Sequence, residues 1–167
     1  MVKYYPSLSE DHRDWALKQQ VFFIASAPLA GDHINLSPKG LPSSTLSVFD
    51  GNHFAYMDAT GSGIETVSHL HENGRATVMF CSFDKGPRIM RWFCKGRVIE
   101  WNDPEFDIML DRMKKNKIDG ARAILYFEIF KGKSSRSSSQ CTYAYRRCSS
   151  NILRLRCSCH PGAYQPR

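Results

Sequence analysis

Acidic residues stop at Glu128, and the 39 residues after it contain none. No apolar run approaches the ~20 residues that a helix needs to span a bilayer. The opening stretch, MVKYYPSLSEDHRDW, is too polar and aromatic for a signal peptide. These absences point to a soluble, intracellular protein, cytoplasmic or nuclear. Cysteine is scarce before residue 140: only Cys81 and Cys94 occur, and both fall in strand-like runs where a thiol acts as a small apolar group. A chain of 167 residues can bury a core without disulfides. No Ser-His-Asp or paired-carboxylate constellation stands out, no repeat is visible, and no catalytic residue is named. A G-x-G-x-x-G dinucleotide fingerprint is missing too, because Thr66 stands where its third glycine would.

The overall charge of +7 hides two unlike segments. Residues 1–130 hold 15 basic and 16 acidic groups, net −1, whereas the last 37 carry +8 and four of the six cysteines. We expect one folded domain over 1–133, followed by a basic, Ser/Arg/Cys-rich tail over 134–167 that is disordered or translated in a shifted frame. The cysteines and histidine of that tail (Cys141, Cys148, Cys157, Cys159, His160) have a zinc-like inventory but no zinc-like spacing, so no metal site is expected. Nor do His69 and His71, two apart on an expected helix, share a face. The tail's arginines, interleaved with Tyr143, Tyr145 and Tyr164, raise a nucleic-acid-associated role as the reading from another class. With no fold or motif around them, a nucleic-acid partner is disfavoured.

Periodicity and turn residues place most elements. A capping box at Ser7–Glu10 opens a helix through about Gln20. Val21 to Pro28 is β-branched and aromatic, hence a strand. A second strand, His33 to Ser37, ends at Pro38-Lys39-Gly40. TLSVFD and HFAYMDA form a hairpin across Asp50-Gly51-Asn52. A helix from Ser62, its N-cap, runs to Asn73; it turns Ile64, Val67 and Leu70 inward and ends at Gly74. Two strands follow, the longer with a bulge or bend at Gly96. Asp103-Pro104-Glu105 starts a helix whose Phe106, Met109, Leu110 and Met113 repeat at helical spacing. A last strand covers Ala121 to Phe130. Seven strands with few short helices favour an antiparallel barrel, mainly β, with peripheral helices.

Two segments carry chemistry. Ser37 and Lys39, beside Gly40, offer a hydroxyl and an ammonium to an anion; the plain alternative is a solvated turn. Thr60-Gly61-Ser62-Gly63-Ile64-Glu65-Thr66 sets two glycines and free N–H groups at a helix start, which suits a phosphate; the alternative is an ordinary capped helix. Glu65 favours that alternative, because its carboxylate competes for the same donors, and it must point away if a phosphate binds. Arg97, and with less support Arg75, could neutralise a phosphate, although surface charge is the commoner role.

These residues together resemble the FMN-binding split-barrel proteins of the pyridoxamine-5'-phosphate-oxidase-like group, especially a fungal branch carrying both turns. The resemblance covers about residues 1–130. It implies a split β-barrel, FMN as cofactor, a homodimer with flavin at the interface, and an oxidoreductase acting on a small molecule. The substrate and electron donor stay unassigned. It assigns cofactor contacts to Ser37, Lys39, Gly40, Thr60, Gly61, Ser62, Gly63 and Thr66, to which the reading of charge on the long strand adds Arg97. A flavin-holding or sensing module without turnover is the alternative. Family members continue with Cys-Gly-Tyr-x-x-Pro, of which this chain keeps only Cys141-Thr142-Tyr143. The C-terminal dimerisation segment of the oxidase itself, with its substrate-binding Arg and His, is not recognisable.

Overall fold

The computed structural model describes residues 2–83 and 88–135. The tail cysteines, His160 and the tail tyrosines therefore lie outside the described residues. The elements run β1 (Val2–Tyr5), α1 (Glu10–Leu17), β2 (Val21–Ser26), β3 (Asn35–Gly40), α2 (Pro42–Thr45) and β4 (Leu46–Val48). They continue with β5 (His53–Ala59), α3 (Glu65–Asn73), β6 (Arg75–Cys81), β7 (Ile89–Glu100), α4 (Glu105–Met113) and β8 (Ala121–Ser135). One antiparallel sheet holds every strand in the order β3-β2-β6-β7-β8-β5-β4, with β1 added alongside β8. It curls into a split barrel, mainly β as the sequence implies. No helix among the described residues is long and apolar enough to cross a membrane.

The curl gives the sheet two apolar faces. Phe22, Phe54, Tyr56, Phe80, Trp92 and Phe127 fill the interior, all fully buried. Each such side chain contributes ~1.5–3 kcal/mol by leaving water. The opposite face of β5, β7 and β8 carries Ala55, Met57, Ile99 and Ile124, which α4 covers with Phe106, Met109 and Met113. That stripe is the one helical spacing predicts. Asp103 Oδ1 accepts from the Glu105 N–H at 2.8 Å, so the acceptor expected at this helix start is in place.

Several expectations are corrected. The capping box is Ser9 with His12, not Ser7 with Glu10. Pro38-Lys39-Gly40 does not end β3 but belongs to it. β3 pairs only with β2, and an edge strand tolerates a proline that has no N–H to give. Helix α3 begins at Glu65 rather than after Ser62; Ile64 holds the cap position without a side-chain bond, and it is exposed. Gly74 does end α3, in the left-handed conformation at φ 68°. The register shift of β7 against β8 falls between Phe93 and Cys94, not at Gly96. Gly96 instead lets the sheet approach α3: a Cβ there would stand 2.5 Å from the Phe127 ring and 3.1 Å from Leu70. β8 continues to Ser135 rather than ending at Phe130, because β1 and β7 both pair with its final residues. β1 itself went unrecognised in the sequence.

Candidate functional site

Alternation along β3 turns Asn35, Ser37 and Lys39 to one face, each partly buried, and leaves Leu36, Pro38 and Gly40 exposed. That inner row faces α3 and the end of β5. Ser37 Oγ donates to Asn35 Oδ1 at 3.2 Å, and Asn35 Nδ2 donates to Thr66 Oγ1 at 3.0 Å. Below them the buried His69 meets Ser26 Oγ through Nδ1 at 3.0 Å.

Lys39 reaches an acid that sequence reading passed over. Asp58 sits on β5 at the inward positions of Phe54 and Tyr56, and its side chain is 0 % exposed. A buried carboxylate is sustained only by opposite charge and hydrogen bonds. Asp58 has both: Lys39 Nζ lies 2.8 Å from Oδ1, and Arg122 Nε lies 2.8 Å from Oδ2. Arg122 is also new to the site. β5 pairs Asp58 with Ala123 and then Ala59 with Ala121, so Arg122 is the extra residue of a β-bulge. Bulges re-aim side chains, and this one brings the guanidinium to Asp58. Arg122 Nη2 then donates to the carbonyl of Gly63 at 2.8 Å, tying the glycine loop to the sheet. At the loop's other end the N–H and hydroxyl of Thr60 both reach Gly120 O, at 2.8 and 3.1 Å. The signal for Asp58 was legible: an acid in the inward phase of an apolar strand needs cations nearby.

Between these anchors the loop is open. Gly61 and Ser62 are exposed, and a Cβ on Gly61 would touch nothing. The first helical bond of α3 is Ser68 N–H to Ile64 O, so the N–H groups of Glu65, Thr66 and Val67 precede it, and no side chain caps them. Tyr56, fully buried beneath Lys39, has a hydroxyl with no hydrogen-bond partner among the described residues. Burial, and then the charge of Asp58, push that phenol well above its ordinary range, against the pull of Arg122.

Of the residues assigned in advance, Ser37, Lys39, Gly40, Thr60, Gly61, Ser62, Gly63 and Thr66 lie on β3, on the loop or at the head of α3. Arg97 does not join them. It sits on the α4 face of β7, donates to Glu105 Oε2 at 2.7 Å and covers the Tyr126 ring at 5.2 Å. Its hydrogen bond and charge hold the Glu105 carboxyl below its usual range. Arg75 is bound to Asn73 Oδ1 and Pro28 O. Glu65 does not point away from the loop, since its carboxylate folds against Gly63. Among the described residues no cluster of three metal-ligating side chains occurs. Cys94 is buried and Cys81 half-buried, and burial pushes both thiols up.

In donor chemistry the residues fit a phosphate monoester. Two partly exposed cations share one carboxylate, beside a glycine loop whose helix start has no cap. Glu65 is the one group that opposes it.

Comparison with known proteins agrees with this architecture. The family model for pyridoxamine 5'-phosphate oxidase matches residues 8–136. A protein from Aspergillus flavus, the pyridoxamine 5'-phosphate oxidase family protein ustO, is 59% identical over 131 residues. The match covers 78% of this chain and 53% of that protein, so the chain spans about half the length of this relative. Among solved structures, a variant of HupZ from Group A Streptococcus shares the fold at a TM-score of 0.61 and 14% identity, over 76% of this chain and 98% of that one. The FAD binding protein of Mycobacterium smegmatis aligns at 0.54 and 11% identity, over 78% and 97%. An FMN-binding protein from Syntrophomonas wolfei aligns at 0.50 and 15%, over 70% and 77%. The structural likenesses speak for the fold alone. With the family model matched over most of its length, the chain belongs to the pyridoxamine 5'-phosphate oxidase family.

Proposed function

We propose that the chain binds FMN and serves as a flavin-dependent oxidoreductase on a small molecule. The observation that carries this reading is the pair of cations, Lys39 and Arg122, joined through Asp58 at the mouth of an uncapped glycine loop. Solved structures of the same fold that are described as FMN- or FAD-binding support it.

Lys39 meets the phosphate as a point charge anchored on Asp58. The loop N–H groups of Gly61 to Thr66 complete the cradle, with the Ser62 hydroxyl exposed among them. Asn35 and Ser37, on the face of β3 that Lys39 shares, offer an amide and a hydroxyl to the polar stem of the cofactor. Bound flavin supplies the hydride or electron chemistry, and the protein supplies binding and electrostatics. The chain works as a homodimer. An apolar groove of about 490 Å³ on the outer sheet face, walled by Ala25, Ile34, Phe93 and Phe130, supports that assembly.

A visible absorbance spectrum of the purified chain tests the cofactor, since a flavoprotein is yellow. Turnover with a nicotinamide reductant then separates an oxidoreductase from a flavin holder: reductant consumption dependent on bound FMN is the expected result. A colourless protein that takes up no added FMN contradicts the reading.

A further inference from the structure

We infer that Arg122 is a phosphate-contacting residue of this site and that Asp58 is the positioning residue that aims both cations. The inference rests on the reading of the loop as a flavin-phosphate cradle. It adds a residue from β8, an element that contributed nothing to the site as read from sequence.

The geometry is a strut. Asp58 is fully enclosed and spends one oxygen on Lys39 and the other on Arg122, both at 2.8 Å. The side chains of Lys39 and Arg122 stay 23% and 20% exposed. Arg122 commits Nε to Asp58 and Nη2 to Gly63 O, which leaves Nη1 with no partner among the described residues. The Gly63 contact holds the guanidinium against the glycine loop.

An ion pair kept only for stability has no need of this arrangement. Buried ion pairs give little net stability over apolar packing, and a structural pair would match one cation to one acid. Here two cations share one enclosed carboxylate, and the second acid at the loop, Glu65 against Gly63, is exposed. A β-bulge is spent on delivering the second cation. Two cations held in place by one carboxylate, each with a donor to spare, are what recognition of a phosphate monoester requires.

The test uses the full chain and measures FMN and riboflavin affinity for wild type, R122K and D58N, with a thermal melt of each without ligand. R122K keeps the charge and loses the fork, so it should fold while FMN affinity drops at least tenfold and riboflavin affinity moves less than twofold. D58N frees the cations from their common anchor and should show the same split, with a smaller FMN loss. The same change for both ligands in R122K would make Arg122 a structural residue and overturn the inference. Tighter FMN binding by D58N would make Asp58 a competing anion and overturn its positioning role. Should wild type bind neither flavin, the cradle reading fails first and this inference with it. Should wild type bind FMN and R122K bind it equally well, this inference alone fails.

Discussion

The carboxylate of Glu65 lies against Gly63, so closely that a Cβ on Gly63 would overlap it. The acid therefore covers the loop in which the phosphate is proposed to bind. Glu65→Gln removes a negative charge from the head of α3 while keeping the side chain's size. A charge at a helix start is worth ~0.3–1 kcal/mol, so FMN should bind unchanged or up to about fivefold tighter. Calorimetric titration of the variant checks this. A clear loss of affinity would mean that Glu65 organises the loop for binding.

Lys39→Ala should weaken FMN more than riboflavin. Losing a charge-assisted hydrogen bond costs roughly 1.5–3 kcal/mol, at least about tenfold in FMN affinity. The ligand-free protein should also melt lower, because Asp58 keeps only Arg122. Parallel titrations with the two flavins decide it, and equal weakening would place Lys39 away from the phosphate.

Gly96→Ala tests how α3 is seated. Its Cβ would press on Phe127, which cannot retreat because it stacks on Phe54 at 4.8 Å and Tyr56 at 5.9 Å. Overpacking of this kind costs about 1–3 kcal/mol. Urea unfolding should show that loss; an unchanged midpoint would mean that the ring and α3 shift freely.

Alkaline pH should destabilise the fold through Tyr5. Its hydroxyl is buried beside Trp92, and burial pushes its pKa up to about 12 against the pull of Arg88 and of the Trp92 ring N–H. A group raised in the folded state gives stability that is complete below its ordinary value, near 10, and lost as pH climbs toward the folded one. Wild type should therefore lose stability between about pH 10 and 12, and Tyr5→Phe should lose less. Denaturant midpoints across that range measure the difference; identical slopes would contradict it.

A chain ending at Ser135 should keep the oligomeric state, melting temperature and FMN affinity of the full chain. The 32 residues beyond carry only Ile152, Leu153 and Leu155 as an aliphatic cluster, too little apolar surface to offset ordering entropy. Light scattering and thermal melts compare the two. Loss of the dimer on truncation would make the tail structural.

What the sequence made legible was periodic or punctuated. Phe106, Met109 and Met113 announced the buried face of α4, and Gly74 announced the end of α3. Ser37 and Lys39 stood out as groups for an anion, but Pro38 masked the strand that holds them, because a proline reads as a breaker unless the strand is known to be an edge. Ser62 looked like a cap because a hydroxyl before an apolar run usually is one. The loop instead stays non-helical between its ties at Gly120 and Arg122, and the helix waits until Glu65. Arg122 was invisible for a different reason: its direction depends on a bulge between two strands distant in the chain. Long-range register leaves no local pattern.

Thermal denaturation of the full chain with FMN, riboflavin and no ligand tests the phosphate cradle most directly. FMN at ~100 times its dissociation constant should stabilise the fold by about 2.7 kcal/mol, and riboflavin at the same concentration by clearly less, because it lacks the group that Lys39 and Arg122 are proposed to hold. No shift with FMN, or equal shifts with both flavins, would contradict a phosphate site at this loop.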